Sequence, residues 1–377
     1  MTERLGFGLY VHWPFCQAKC PYCDFNSHVV ANVDQSRWRA ALVSEIERSG
    51  RETEGRILDS IFFGGGTPSL MEPQTVTAVI DAARAAWPSS NNIEITLEAN
   101  PNSVEAARFH GFADAGVNRV SIGVQSLRDD HLRALGRLHN AGEALDAVAI
   151  ARSVFSRVSF DLIYARQNQS LHDWEVELAE ALALEPDHLS LYQLTIEDGT
   201  AFGDRFARGR LAGLPDEDLA ADMYAITQSL TDAAGLPAYE ISNHARPGQE
   251  SRHNLIYWRS GDWVGVGPGA HGRLTLANGR FSTETHRAPG AWINAVESSG
   301  SGESVRAALS VQDQFEESTM MGLRLVEGID SNVLDRFNIS KINELEDIGL
   351  LDITQERIRA TRSGRPVLNF ILRELLA

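Results

Sequence analysis

Six short runs rich in β-branched and aromatic residues recur along the first 200 residues: Gly8 to Trp13, Ser60 to Phe63, Ile93 to Glu98, Arg119 to Val124, Val158 to Ile163 and Leu189 to Leu194. Each has the length and composition of a buried strand. Between them the apolar spacing changes to a helical period. Trp38, Leu42 and Ile46 repeat between Asp34, suited to an N-cap, and Gly50, suited to the C′ position. Val76, Val79, Ile80, Ala83 and Trp87 share one face behind Pro73, and Pro88 ends that segment. Ser170 with Asp173 forms an S-x-x-D box ahead of Trp174, Leu178 and Leu182. Strands that alternate with crossover helices make a parallel sheet. Six such units suit an open or partial (β/α)6 barrel, and a doubly wound sheet has the same periodicity.

The pattern changes after about Leu214. A longer helix leads into a Gly- and aromatic-rich stretch from Tyr239 to Phe281, and SSGSGES at 298 to 304 reads as an exposed link. From Val311 the chain reads helix, helix, short strand, a turn at Ser363 and Gly364, then strand or helix. The expected fold is therefore α/β, a partial barrel with a small C-terminal α+β winged-helix-like domain. The expected division is a core at 1–240, a core extension at 241–310 that carries HNLIYW, and the appendage at 311–377. A chain of 377 residues has room for this. With 34 basic against 51 acidic residues, a net charge of −17, it gains nothing from counterion release on nucleic acid and is repelled by anionic lipid. No run of about 18 apolar residues occurs, and MTERLGFGLYVHW lacks the layout of a signal peptide, so a cytoplasmic location is expected.

All three cysteines, Cys16, Cys20 and Cys23, fall within eight residues directly behind the first strand run. An odd number so tightly grouped is not a disulfide framework. Thiolates bind soft and borderline metals, so C-x3-C-x2-C reads as a metal site on one short loop. Structural zinc takes four ligands and favours a C-x2-C knuckle, a poorer match that His12 or His28 would have to complete. A cubane iron–sulfur cluster matches better, because its irons usually take four thiolates and this chain offers three. One iron is then open to chelate a small molecule.

Further polar residues stand at or just beyond the ends of successive strand runs, where βα folds build their sites. GGGTPS follows the second run at 64 to 69. Glycines there permit close backbone approach to an ammonium group, and seen alone would mark only a tight turn. Glu98 ends the third run with a carboxylate suited to ribose hydroxyls. Gln125 in SIGVQS closes the fourth, Arg137 follows in LGRLH, and Asp161 lies on the fifth. Any one alone would ordinarily be a solvated or structural polar residue; together their positions and chemistry agree.

CQAKCPYC with GGGTPS resembles the CxxxCxxC signature of the radical S-adenosylmethionine (SAM) enzymes. The resemblance implies a partial (β/α)6 radical-SAM barrel and a [4Fe-4S] cluster on Cys16, Cys20 and Cys23. It also implies S-adenosyl-L-methionine chelated at the open iron, whose sulfonium that family cleaves to a 5′-deoxyadenosyl radical. Carried over residue by residue, it places S-adenosylmethionine against Tyr10, Tyr22, Gly65, Gly66, Thr67, Glu98, Gln125, Arg137 and Asp161.

From LYVHWPFC through LEANP and SIGVQS to the appendage, the chain is similar to the coproporphyrinogen-dehydrogenase-like branch. Those enzymes carry a further cysteine two residues after the third, where this chain has Phe25, and a longer extension than the 15 residues before Cys16. HNLIYW, His253 to Trp258, resembles instead the HemW-type heme chaperones, a sister group with the same core and cofactors. That resemblance implies heme as a ligand, with His253, Tyr257 and Trp258 as its binding residues, and heme-accepting respiratory membrane proteins as partners. It leaves room for a homodimer and for peripheral membrane contact. Without it, HNLIYW reads as an aromatic strand whose His253 caps a backbone group.

The alternative function is oxygen-independent oxidative decarboxylation of coproporphyrinogen III, with Arg252 and Arg259 flanking the aromatic motif to meet an anionic substrate. A zinc-stabilised α/β binding protein is the third reading. GVGPGAHG formally contains G-x-G-x-x-A, but Pro268 and Gly269 interrupt any helix there. A tight loop near the site is expected instead, with His271 facing a ligand. The tryptophans outside HNLIYW read as core.

Overall fold

Each apolar run of the first half becomes a strand of one sheet: β1 (Phe7–Trp13), β2 (Leu58–Gly65), β3 (Ser89–Ala99), β4 (Arg119–Gln125), β5 (Arg157–Tyr164) and β6 (His188–Gln193). They pair in parallel and in chain order. On β1 the pleat turns Leu9, Val11 and Trp13 into the core while Tyr10 and His12 take the opposite face. The computed structural model describes residues 5–376, without the side chains of Ser103 and Val104. The outer ends of the expected first and last domains, 1–4 and 377, lie outside the described residues.

The helices between the strands follow their sequence signatures closely. In α1 (Gln35–Glu52) the Asp34 carboxylate accepts from the Arg37 N–H, as an N-cap should. Gly50 does not end this helix. It lies inside the last turn, where α1 meets α2 (Pro73–Ala86) so closely that a Cβ would stand 2.6 Å from that of Ala86. After α3 (Ala141–Val154), Ser170 and Asp173 make a reciprocal capping box at the start of α4 (Leu171–Ala183), and α5 (Glu217–Ala233) follows.

The glycine- and aromatic-rich stretch extends the same sheet. β7 (Asn243–Ala245) runs antiparallel to β6, and β8 (Asp262–Val266) pairs in parallel with the other side of β1. β9 (His271–Leu276), β10 (Gly279–Thr285) and β11 (Glu303–Ala308) then add antiparallel strands. The eleven strands stand in the order β11-β10-β9-β8-β1-β2-β3-β4-β5-β6-β7, an open and therefore partial barrel. SSGSGES closes α7 (Pro289–Ser299) through a left-handed Gly300 and leads into β11.

HNLIYW is a helix, not a strand. α6 (Arg252–Trp258) opens on Ser251, whose hydroxyl accepts from the Asn254 N–H, and lies across the N-terminal ends of β1 to β3. Apolar runs this short cannot be assigned by periodicity, and the serine cap was the cue.

The appendage has its own core, built around Phe315, Leu323, Ile342, Leu345, Ile358 and Ile371. It contains α8 (Val311–Gly322), β12 (Ile329–Asp330), α9 (Ile339–Asp347), β13 (Leu351–Ile353), β14 (Arg357–Ala360) and α10 (Leu368–Leu376). The strands form an antiparallel sheet in the order β12-β14-β13. Trp13, Trp38, Trp87, Trp174, Trp263 and Trp292 are all buried. Among the described residues no helix is long and apolar enough to cross a membrane.

Candidate active site

The C-terminal ends of β1 to β5 open into one cavity. Its wall begins in the loop after β1, where the Cys23 N–H donates to the Cys20 carbonyl (3.1 Å) and folds the loop so that all three thiols, each partly exposed, line the cavity. His12 fastens the loop from beneath. Its Nε2–H donates to the Asn26 carbonyl (2.9 Å), which leaves Nδ1 to accept from the Tyr10 hydroxyl (3.0 Å). The Asn26 amide donates to the Pro268 and Arg287 carbonyls (2.9 Å each), tying the cysteine loop to the GVGPGAHG turn. That turn is tight, because the Gly267 position lies so close that a Cβ would stand 2.2 Å from the His12 carbonyl oxygen. His271 is exposed beside Glu284, outside the cavity.

β2 delivers GGGTP to the same wall. Gly65, at φ 108, lies against the His12 imidazole, where a Cβ would approach within 2.6 Å. The Gly66 and Thr67 N–H groups donate to the Trp13 and Phe15 carbonyls (2.7 and 2.9 Å), and the Thr67 hydroxyl donates to Cys16 Sγ (3.3 Å). The glycines thus serve the close packing of two loops.

β3, β4 and β5 supply the opposite side. The Glu98 carboxylate accepts from the Gly65 N–H, and burial together with the nearby Asp161 charge pushes its pKa up to about 8. Burial raises Asp161 to about 7, against the opposing pull of Ser190, Arg137 and Ser121. Two carboxyls facing one cavity cannot both ionise cheaply, so they hold protons near neutral pH. Gln125 adopts φ 67, a left-handed conformation that a residue with a side chain accepts at some cost. Arg137 donates to the Asn100 side-chain oxygen (2.6 Å), the Gly123 carbonyl (2.9 Å) and Cys20 Sγ (3.5 Å). Tyr22 packs against Phe202 beside it.

Burial pushes the Cys16 and Cys23 thiols up, so they stay protonated until a metal displaces the proton. Among the described residues no three Cys, His, Asp or Glu side chains are grouped to hold a single metal ion. Three thiols spread round a wider cavity, with a cation beside Cys20 and a hydroxyl on Cys16, suit a multi-iron cluster.

Every residue expected to hold the cluster or S-adenosylmethionine lines this cavity except Tyr10. Tyr10 lies one layer below, stacked on Phe62 and bonded to His12. Lys19, Asn100 and Ser121 line the cavity without having been singled out, and Phe25, marked only for the cysteine it replaces, lines it too. The cue for Asn100 was its place in LEANP, two residues after Glu98.

His253 and Tyr257 are bonded to each other in the interior, and Trp258 is not gathered with them. His253 is fully buried, with Nδ1 on Ser60 Oγ (2.8 Å), Nε2 on the Tyr257 hydroxyl (2.7 Å) and its backbone N–H on Glu94 (3.2 Å). Burial lowers its pKa to about 3, so the ring is neutral and offers no free nitrogen to an iron. Trp258 instead lines a groove against the appendage.

A partial barrel with three thiols and a polar cavity at its C-terminal end defines the radical SAM class. The radical SAM superfamily profile matches residues 10–180, and the HemN C-terminal domain profile matches residues 309–367. The radical S-adenosyl methionine domain-containing protein 1, mitochondrial, of Bos taurus is 40% identical over 385 residues, covering 98% of this chain and 87% of that protein. Heme chaperone HemW of Escherichia coli is 43% identical over 287 residues, 76% of this chain and 75% of its own, and that of Mycobacterium tuberculosis 34% over 375 residues, 98% and 95%. The coproporphyrinogen III oxidase HemN of Escherichia coli superposes with a TM-score of 0.83 over 98% of this chain and 90% of that one, at 21% identity, a likeness of fold. The chain belongs to the radical SAM superfamily, in the family that contains HemW.

Proposed function

We propose that the chain is a heme chaperone of the HemW type, which binds heme and passes it to respiratory membrane proteins, with a [4Fe-4S] cluster and S-adenosylmethionine in the barrel cavity. One observation carries the reading. Proteins named heme chaperone are 34% to 43% identical to this chain over most of their length, whereas the coproporphyrinogen oxidase is 21% identical. The cavity supports it, because Phe25, exposed at the mouth, presents an apolar face where the decarboxylating branch has a further thiol. On this reading the protein works from the cytoplasm and meets its acceptor peripherally.

Cys16, Cys20 and Cys23 would hold the cluster, and Tyr22, Gly65, Gly66, Thr67, Glu98, Gln125, Arg137 and Asp161 would hold S-adenosylmethionine. Together the two supply one-electron chemistry when bound. Arg137 sets a positive charge within hydrogen-bond reach of Cys20 Sγ, and Thr67 donates to Cys16 Sγ, which opposes the effect of burial there. Glu98 and Asp161, poised near neutral pH, can accept from hydroxyls when ionised and donate when protonated. Tyr10 acts through His12: burial keeps the imidazole neutral, Tyr10 donates to its Nδ1, and its Nε2–H holds the cysteine loop in place.

The test is one anaerobically reconstituted preparation, titrated with heme by Soret absorbance and assayed in parallel with coproporphyrinogen, S-adenosylmethionine and reductant. Heme uptake without decarboxylation is expected. Decarboxylation without heme uptake overturns the reading.

A further inference from the structure

Away from the cavity, a groove of about 540 Å³ separates the end of α6 from the appendage, a volume typical of small-molecule sites. Trp258, Ser260, Thr319, Ile329, Val333 and Arg357 line it. The indole, Ile329 and Val333 make an apolar wall. Ser260, Thr319 and Arg357 add donors, while Glu327 and Asp330 bring carboxylates that are already engaged, Glu327 by Arg259 (2.8 Å) and Asp330 by the Asn332 N–H (2.9 Å).

Trp258 Nε1 and Ser260 Oγ are buried without a hydrogen-bond partner. Thr319 is 1% exposed, and its hydroxyl has no partner among the described residues. Arg357 faces Asp330 across β12 and β14, but Asp330 accepts from the Asn332 N–H (2.9 Å), and the Arg357 guanidinium has no ion-pair partner among the described residues. Ser260 is held at φ 55 while Arg280 donates to its carbonyl (2.8 Å) and to that of Gly261 (2.9 Å), so the strained corner is fixed in place. Unsatisfied donors beside one groove are costly unless a ligand completes them.

We propose that this groove binds a flat apolar ligand with a carboxylate, of the porphyrin class. The ring lies on Trp258, Ile329 and Val333, and the carboxylate meets Arg357 beside the Thr319 and Ser260 hydroxyls. The inference rests on the heme reading above and gives the heme a place distinct from the barrel cavity. Among the described residues no histidine, cysteine, methionine or tyrosine lines the groove, so recognition runs through ring and carboxylate and not through the iron.

The experiment uses the full chain with its cluster reconstituted, titrated with hemin and with metal-free protoporphyrin IX. Protoporphyrin IX is expected to compete with hemin at an affinity within about threefold, and Arg357→Glu to weaken both about tenfold. Thr319→Val, nearly isosteric, is expected to weaken both about threefold, with cluster absorbance and melting temperature unchanged in each variant. Hemin binding that protoporphyrin IX does not contest, or that both variants leave untouched, overturns the groove while the heme reading stands. A wild-type chain that binds neither porphyrin overturns the heme reading itself, and the groove with it.

Discussion

Cys16 and Cys23 sit where burial disfavours the thiolate, so cluster assembly has to expel their protons, and no spare cysteine exists to replace a lost ligand. Alanine at Cys16, Cys20 or Cys23 is expected to abolish the visible cluster absorbance and the acid-labile sulfide of reconstituted protein. Retention of both in any variant would remove that cysteine from the clamp. Glu98 makes a prediction of opposite kind, about the metal-free chain. Its pKa rises from 4.5 to about 8 on folding, so the folded state keeps a proton that the unfolded chain loses. Its contribution is therefore fully present below about pH 4.5 and drains away as pH climbs to about 8. Glu98→Gln removes this dependence. It is expected to raise unfolding stability at about pH 8.5 by on the order of 1–2 kcal/mol and to change it little near pH 4.5, as read from urea midpoints. Equal shifts at both pH values would show that the proton is not responsible.

At the level of elements, α6 is anchored by a carboxylate. Buried Glu94 accepts from Arg119 (3.3 Å) and Arg157 (2.6 Å) and from the His253 N–H (3.2 Å). Against the cost of burial, the two guanidiniums hold it below the usual carboxylate range. Glu94→Gln leaves two cations without their counter-charge and loosens the start of α6, which should cost about 3–5 kcal/mol in urea unfolding. A loss below about 1 kcal/mol would mean that α6 is held by apolar packing alone.

The fate of this helix also shows what the sequence could reveal. The six parallel strands were legible because each is buried on both faces and so reads as a continuous β-branched run, and the cavity residues were legible because chemistry concentrates at strand ends. β9 to β11 were hidden by alternating polar residues and glycine, as in HGRLTL and GRFSTET, which are half-exposed strands at the sheet's edge. HNLIYW carries an aromatic content common to strands and buried helices, and its role depends on Glu94 and Ser60, residues far away in sequence. Gly50 misled for a related reason, since its partner, Ala86, belongs to another helix.

Across the whole molecule, two hydrophobic cores meet at a junction bridged by ion pairs. Arg273 on β9 pairs with Glu317 on α8 (2.8 Å), and Arg259 after α6 pairs with Glu327 (2.8 Å). The Val326 N–H donates to the Tyr239 carbonyl (3.0 Å). Ion pairs that are a fifth to two-fifths exposed contribute modestly, about 0.5–1 kcal/mol each, and are weakened by salt. Removing both by Arg259→Ala with Arg273→Ala should therefore cost about 1–2 kcal/mol of junction stability, a roughly 5–30-fold rise in the opened population. Each core should keep its own melting behaviour. When opening and closing outrun cleavage, limited proteolysis reads that population, so cutting between β11 and α8 should accelerate by the same factor. High salt should reproduce part of the effect in the unmodified chain. Unchanged cleavage in the double variant would assign the junction to its apolar and backbone contacts, and would make the appendage a fixed wall of the groove at Trp258.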